Sequence, residues 1–114
     1  MSPPKDSRTL LLEAISEEEF QQQVIELATL RGWRHYHTHD SRRSAEGFPD
    51  LVLVRPATLQ GGFDGRIIFA EIKAQKGRPS AEQRAWLAVL ADTGKVEVYV
   101  WRPSDFDQIV EILA

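Results

Sequence analysis

Two short segments decide how this chain folds: PDLVLV at residues 49–54 and IIFAEIK at residues 67–73. Each joins a run of four apolar residues, typical of a buried strand, to charged residues at one end of the run. Successive side chains of a strand point to opposite faces, so Glu71 and Lys73 project to the same side. With Asp50 at the start of the first strand, two carboxylates and one ammonium group are predicted to meet.

These residue types suit the hydrolysis of a phosphodiester with the help of a divalent cation. Mg²⁺ prefers oxygen ligands and is commonly held by one or two carboxylates together with water and phosphate. Asp50 and Glu71 would supply the carboxylates, and the backbone carbonyl of Ile72 a third oxygen. Lys73 would lie beside the attacking water, either lowering its pKa or holding the transition-state phosphate. A solvated cross-strand pair is the alternative, but an unpaired charge at the end of a buried strand is costly.

The composition indicates a single soluble domain. The 114 residues have room for one modest core, and the absence of cysteine excludes disulfides and thiolate metal sites. No apolar run approaches the roughly 20 residues that span a bilayer. The N-terminal MSPPKDSR lacks the layout of a signal peptide. We therefore expect a cytoplasmic protein without a membrane partner.

Charge is sorted along the chain although the net charge is only −3. Residues 31–43 hold four arginines and three histidines against one acidic residue, and residues 73–84 hold four cations against one. Such sorting is typical of a phosphate-binding face on an otherwise acidic domain. The candidate DNA contacts in these segments are Arg42, Arg43, Lys76 and Arg78. A solvated loop is the alternative for the two adjacent arginines.

The remaining periodicity predicts the order α-β-β-β-α-β-α after a flexible arm at residues 1–14. Ser16 is predicted to cap the first helix, with Glu19 at the capping-box position and Gly32 at the end. Strands are predicted at 33–39, 50–54, 66–74 and 95–101, and further helices at 81–92 and 105–113, the last capped by Ser104. A strand–helix–strand unit at 66–101 favours an α/β fold with a mixed sheet flanked by helices. Trp86 is expected in the core, and Trp33 and Trp101 either in the core or at a dimer interface.

Four ordered blocks of this sequence resemble the VRR-NUC branch of the PD-(D/E)xK nuclease superfamily. They are EFQQ at 19–22 followed by GW at 32–33 and YH at 36–37, then GFPDLVL at 47–53, FAEIK at 69–73, and GRPSAEQRAWL at 77–87. The resemblance covers about residues 16–113. It implies a restriction-endonuclease-like core, with residues 15–114 as one nuclease domain. It also implies dependence on Mg²⁺ or Mn²⁺.

The resemblance further implies roles for individual residues. Asp50 and Glu71 would be metal ligands and Lys73 the catalytic lysine, with Gln83 facing the active site. A glutamate on the first helix would help to hold the metal or its water; Glu19 is our choice, while Glu17, Glu18 and Glu26 compete. His37 would lie near the substrate phosphate, or else be a histidine satisfied by the backbone.

Small stand-alone proteins of this kind resemble phage and bacterial proteins that dimerise and cleave branched DNA, such as four-way (Holliday) junctions. The expectation is therefore a homodimeric, structure-selective DNA endonuclease in a bacterial or phage-infected cell. Two alternatives remain: a nuclease or nickase without branch preference, and a non-catalytic DNA-binding module on the same fold.

Overall fold

The computed structural model describes residues 5–38, 45–58, 60–62 and 64–114. Its elements, in chain order, are α1 (Ser7–Ala14), α2 (Glu17–Leu30), β1 (Arg34–His37), β2 (Leu51–Arg55), β3 (Arg66–Ile72), α3 (Ala81–Asp92), β4 (Glu97–Trp101) and α4 (Phe106–Ile112), with a 3₁₀ turn at Pro103–Asp105. The predicted α/β class is confirmed, and the architecture is consistent with a restriction-endonuclease-like core. None of the helices in the described ranges is long and apolar enough to cross a membrane.

The four strands form one mixed sheet in the order β1-β2-β3-β4. β1, β2 and β3 pair antiparallel, whereas β3 and β4 pair parallel and are connected through α3. Leu51 pairs with Ala70. Continuing that register by one residue sets Asp50 opposite Glu71, at the end of the sheet where β3 and β4 finish.

One face of the sheet carries the hydrophobic core. Helix α2 buries a stripe at helical spacing (Phe20, Val24, Ile25, Ala28) against the alternate strand residues Leu51, Leu53, Ile68, Ala70 and Ile72, with Ile109 and Leu113 of the C-terminal segment. Each Val, Leu, Ile or Phe side chain among them contributes about 1.5–3 kcal/mol when fully buried. Trp33 and Trp101 are predicted to lie either in the core or at a dimer interface. Each is 3% exposed and belongs to this core.

The opposite face is covered in part by α3. Phe69 on this face contacts Phe48 edge-on, and Phe48 in turn contacts Trp86 of α3. Leu87 is the buried residue of α3. Helices therefore lie on both sides of the sheet, as the sequence predicts.

Local structure departs from the sequence-based prediction at both termini. Residues 7–14, predicted to belong to a flexible arm, form helix α1, which begins at an Asp6 side chain that accepts from the Thr9 amide. Ser104 does not cap the last helix, because it lies inside the 3₁₀ turn and its amide donates to Gln75 instead. The Asp6 cap is a local contact, whereas the contact of Ser104 joins residues 29 positions apart, which no short-range capping pattern predicts.

The helix starts are otherwise well predicted, and the strands are shorter than expected. The Ser16 hydroxyl accepts from the Glu19 amide at 3.0 Å, and α3 spans the predicted residues 81–92. β1 ends at His37 and β4 begins at Glu97. His39, predicted in the first strand, lies outside the described residues.

A half-buried ion pair ties β3 to β4 and to the C-terminal segment. The Arg66 guanidinium donates to both Glu97 carboxylate oxygens at 2.6 Å and to the Ile112 carbonyl at 2.8 Å. Arg55 and Arg66 also lie over the Trp33 ring, 4.6 and 5.0 Å from its centroid. Hydrogen bonds from Arg66, and a weaker one from Tyr99, hold the pKa of Glu97 below its usual value despite burial.

Replacing Glu97 by glutamine should destabilise the protein by about 1 kcal/mol at neutral pH, because a bidentate, partly buried pair is lost. A lowered carboxyl pKa contributes stability above about pH 4.5 that is lost as the pH falls through the lowered pKa of Glu97. The two proteins should therefore converge in stability under acidic conditions. Urea unfolding across pH checks this, with Glu111→Gln, on an exposed position of α4, as the control. A difference that persists undiminished in acid would contradict the assignment.

Candidate active site

Asp50 and Glu71 meet at the end of the sheet where β2 begins and β3 ends. The Asp50 carboxylate accepts a hydrogen bond from the Ile72 amide at 3.0 Å, which fixes the short side chain against β3. Pro49 before it is fully buried and restrains the entry to the strand. The geometry therefore confirms the sequence-based prediction that these two carboxylates converge.

Glu71 is the fully buried charged side chain in the described part of the protein. Burial, together with the adjacent Asp50 carboxylate, raises the pKa of its carboxyl to about 9, while Lys73 acts in the opposite direction. Its Oε2 atom has no hydrogen-bond partner among the described residues. Burying a carboxylate oxygen without a partner costs free energy. This cost indicates that the position binds a ligand.

Lys73 follows on the same side of β3. Its Nζ lies 3.8 Å from Glu71 Oε1, its side chain is 13% exposed, and its amide donates to the Trp101 carbonyl of β4. The ammonium is thus anchored by the sheet and reaches the edge of the site. A charge in this position can hold an anionic oxygen or a water molecule.

Gln83 connects the site to the first turn of α3. Its Oε1 accepts from the Ser80 amide at 2.8 Å, and the Ser80 hydroxyl accepts from the Gln83 amide, which forms a complete capping box. With Oε1 so engaged, Nε2 is directed at Glu71 Oε1, 3.2 Å away. A helix cap therefore decides which end of the Gln83 amide faces the carboxylate.

The loop before Asp50 is held against α3 by close contacts. Gly47 has a φ of +82°, and a Cβ there would lie 2.6 Å from the Glu82 backbone, so a side chain is excluded. The Trp86 indole donates to the Glu46 carbonyl at 3.0 Å. Phe48 packs edge-on against Trp86 at 5.2 Å. Asp50 and Gln83 are thereby fixed on two sides of Glu71.

A cleft of about 240 Å³ opens at this junction. Its walls are Thr38, Ala45, Glu46, Gly47, Phe48, Asp50 and Gln83. It is a cavity in the described structure that Asp50 and Gln83 share.

Helix α2, which carries the predicted Glu19, also carries Glu17, whose charge acts on the site. The negative charge of Glu17 adds to the raised pKa of Glu71. Glu19 lines a neighbouring hollow with Glu18, Gln22 and His37. The role of Glu19 stays a prediction, with Glu17 among the alternatives. His37 lines the same hollow and stacks on His35 at 6.1 Å between ring centroids.

Of the four cations predicted to contact DNA, the structure describes two. Arg42 and Arg43 lie outside the described residues. Arg78 is exposed, and Lys76 is 68% exposed with its Nζ 3.5 Å from Glu13 of α1. Glu13 also pairs with Lys5 at 2.7 Å. These two cations therefore stay predictions as DNA contacts.

The residues of the site fit a divalent cation held by oxygen. Asp50 and Glu71 are two neighbouring carboxylates, and the unpartnered Glu71 Oε2 is an oxygen that a cation would satisfy. No group of three or more His, Asp or Glu side chains suited to a metal occurs in the described ranges. A third oxygen would therefore come from the backbone, as predicted for the Ile72 carbonyl, or from water and substrate. The donor set favours Mg²⁺ or Mn²⁺ over zinc.

Sequence reasoning missed three parts of this arrangement: Ser80, Gly47 and Trp86 as the residues that fix the walls of the cleft. Ser80 followed by Gln83 is a capping-box pattern that could have been recognised. The contacts of Gly47 and Trp86 join segments about 40 residues apart, for which a single sequence carries no local signal.

Comparisons with known proteins bear on the family of the chain. The model of the VRR-NUC domain family matches residues 4–104. The chain is similar to two proteins named Fanconi-associated nuclease 1 homolog. The one from Arabidopsis thaliana is 39% identical over 66 residues, which are 57% of this chain and 7% of the relative. The one from Caenorhabditis elegans is 43% identical over 53 residues, 46% of this chain and 5% of the relative. The chain thus spans only a small part of these relatives, and no solved structure matches it significantly.

Replacing Glu71 by glutamine should stabilise the protein in the presence of EDTA. The neutral amide has almost the same shape and, unlike the carboxyl, does not have to take up a proton when the chain folds. A folded-state pKa of about 9 against an ordinary value of 4.5 means that ionising Glu71 destabilises the fold progressively as the pH rises between them. The gain should be small at pH 5 and reach roughly 3–6 °C in melting temperature at pH 8, the shift that about 1 kcal/mol produces.

Thermal melts at both pH values measure this effect, and Glu111→Gln again serves as the exposed control. With added Mg²⁺ the order should reverse, because a cation that binds the carboxylate stabilises only the unsubstituted protein. A variant less stable than the parent in EDTA at pH 8 would contradict the assignment.

Proposed function

Because this chain belongs to the VRR-NUC family of nuclease domains, we propose that it is a metal-dependent DNA endonuclease that hydrolyses phosphodiester bonds. The observation that carries the proposal is the convergence of Asp50, Glu71 and Lys73 at one end of the sheet, where the buried Oε2 atom of Glu71 has no partner among the described residues. The resemblance of the chain to proteins named as nucleases supports it.

The cation would be Mg²⁺ or Mn²⁺, held by Asp50, Glu71 and the Ile72 carbonyl. When bound, it neutralises charge on the phosphate and makes water more acidic. The residues themselves prepare this position. The Ile72 amide orients Asp50, and Gln83 donates to Glu71 Oε1, which favours the ionised carboxylate and leaves Oε2 for the cation.

Lys73 supplies the positive charge on the other side of the carboxylate. Its Nζ stands near enough to Glu71 to lower the pKa of that carboxyl, and it stays partly exposed at the edge of the site. From there it holds either the attacking water or a phosphate oxygen whose charge grows in the transition state. Glu17 adds negative charge next to Glu71 and would help to order water on the cation.

We further propose that the enzyme acts as a homodimer on branched DNA, such as a four-way junction. A domain of this size buries too little surface for tight sequence-specific binding, so shape is the more accessible determinant. Symmetrical incision of a four-way junction also requires two active sites, which two copies of a chain with a single such site would provide.

Replacing Lys73 by alanine should lower the cleavage rate by about 10²–10⁴-fold, because the group that acts directly on water or phosphate is removed. The assay uses an end-labelled four-way junction, a flap and a linear duplex, each with Mg²⁺ or Mn²⁺ and with EDTA. Lys95→Ala, at the opposite end of the sheet, is the matched control and should cleave normally. Paired cuts in the junction would support the dimeric, branch-selective activity. Equal cutting of the linear duplex would support a nuclease without branch preference.

Metal-dependent cleavage by Lys73→Ala at the parental rate would overturn the assigned role of this residue. If folded parental protein binds DNA but cuts none of the three substrates, the proposed nuclease function is wrong and the chain is a DNA-binding module.

Ser80→Ala and Gln83→Ala should separate the structural role of the capping box from the role of Gln83 in the site. Each removes one half of the cap, so both should lose about 1 kcal/mol of stability. Only Gln83→Ala also removes the donor to Glu71 Oε1, so it should lower the cleavage rate at least about tenfold more than Ser80→Ala. Equal rates in the two variants would show that Gln83 acts only as a cap.

A further inference from the structure

The exposed edge strand β1 leads directly away from the candidate active site. Beyond its last residue, the Thr38 amide donates to the Asp50 carbonyl at 3.2 Å, so the pairing with β2 continues up to the cleft. Thr38 lines that cleft with Asp50 and Gln83. Because strand residues alternate, Tyr36 and Arg34 lie on the same face as Thr38, at successive two-residue steps from the site.

This face of the sheet is left open where α3 does not cover it. Tyr36 is 62% exposed, and Arg34 beside it is also exposed. The register places Tyr36 opposite Val52, Arg34 opposite Val54, and Val54 opposite Ile67. Val54 and Ile67 are 39% and 40% exposed, so Tyr36 stands at the edge of an apolar floor rather than alone on a polar surface.

The segment that carries β1 is basic although the protein as a whole is acidic. Residues 31–38 contain Arg31 and Arg34, both exposed, and no acidic residue. A second copy of the chain docking across a two-fold axis on this face would bring like charges together. An anionic partner with flat apolar groups fits both the arginines and the aromatic floor.

We propose that Tyr36 and Arg34 form a binding track for unpaired nucleotides of the DNA strand that enters the active site. Tyr36 stacks on a base, which requires a base free of its pairing partner, and Arg34 contacts a backbone phosphate. Two residues of a strand advance about 6.8 Å, so Thr38, Tyr36 and Arg34 span about 14 Å, the length of about four stacked nucleotides. The track rests on the proposed nuclease function and defines the feature of the substrate that it reads.

The test measures DNA binding in EDTA, where no chemistry occurs, by the fluorescence anisotropy of two labelled hairpins. One hairpin carries a single-stranded tail and the other is blunt with the same stem. Tyr36→Ala should weaken binding of the tailed hairpin about tenfold and of the blunt hairpin less than about twofold. Tyr36→Phe keeps the ring and should restore binding of the tailed hairpin to the parental value.

Arg34→Gln should also weaken binding of the tailed hairpin and reduce the salt dependence of binding by about one counterion. His35→Ala is the matched control, since His35 is exposed on the same strand but on the opposite face, and it should bind both hairpins normally. Circular dichroism melts of all variants verify that each is folded.

Equal loss for tailed and blunt hairpins, or no loss in Tyr36→Ala, would overturn the track. So would a shift of Tyr36→Ala from dimer to monomer in sedimentation, since this face would then be an interface between copies. Failure of the track and failure of the nuclease are distinguishable. Junction cleavage by the parental protein tests the enzyme, whereas tail binding without metal tests the track.

Discussion

The arrangement of the site depends on one constraint: a carboxylate, that of Glu71, is enclosed at the end of a central strand with one oxygen unpartnered. An isolated charge in such a place is strongly disfavoured, which is why its pKa rises to about 9. The neighbouring groups reduce this cost without removing it, since Gln83 donates to one oxygen and Lys73 stands close by. A bound cation would satisfy the other oxygen, so the same feature that destabilises the metal-free fold prepares it for a metal.

Helix α3 is the element that connects this constraint to the rest of the molecule. Its first turn is capped by Ser80 and Gln83, and the same glutamine amide reaches Glu71. One turn further on, Trp86 holds the loop that precedes Asp50, while Gly47 allows that loop to approach the helix backbone. Folding of the helix start and assembly of the site are therefore coupled, and a functional position is built from ordinary structural contacts.

The two faces of the sheet differ in what covers them. One face and α2 form the core, which carries most of the buried apolar surface. The other face is covered by α3 over β3 and β4 and remains open toward β1, where Tyr36 and Arg34 are exposed. A strand edge that would otherwise be a liability is instead short, basic and aromatic, which suits contact with a nucleic acid.

The sequence by itself predicted strands at 50–54 and 66–74, within two residues of β2 and β3, together with the extent of α3 and the mixed α/β architecture. It also singled out Asp50, Glu71 and Lys73, which the structure brings together. These follow from periodicity, strand alternation and residue chemistry, which act over a few neighbouring positions. Only the tertiary structure decided that Glu71 is fully enclosed. The contacts of Gly47 and Trp86 were also decided there. Burial and the distance between remote segments arise when the whole chain packs, and no local pattern specifies them.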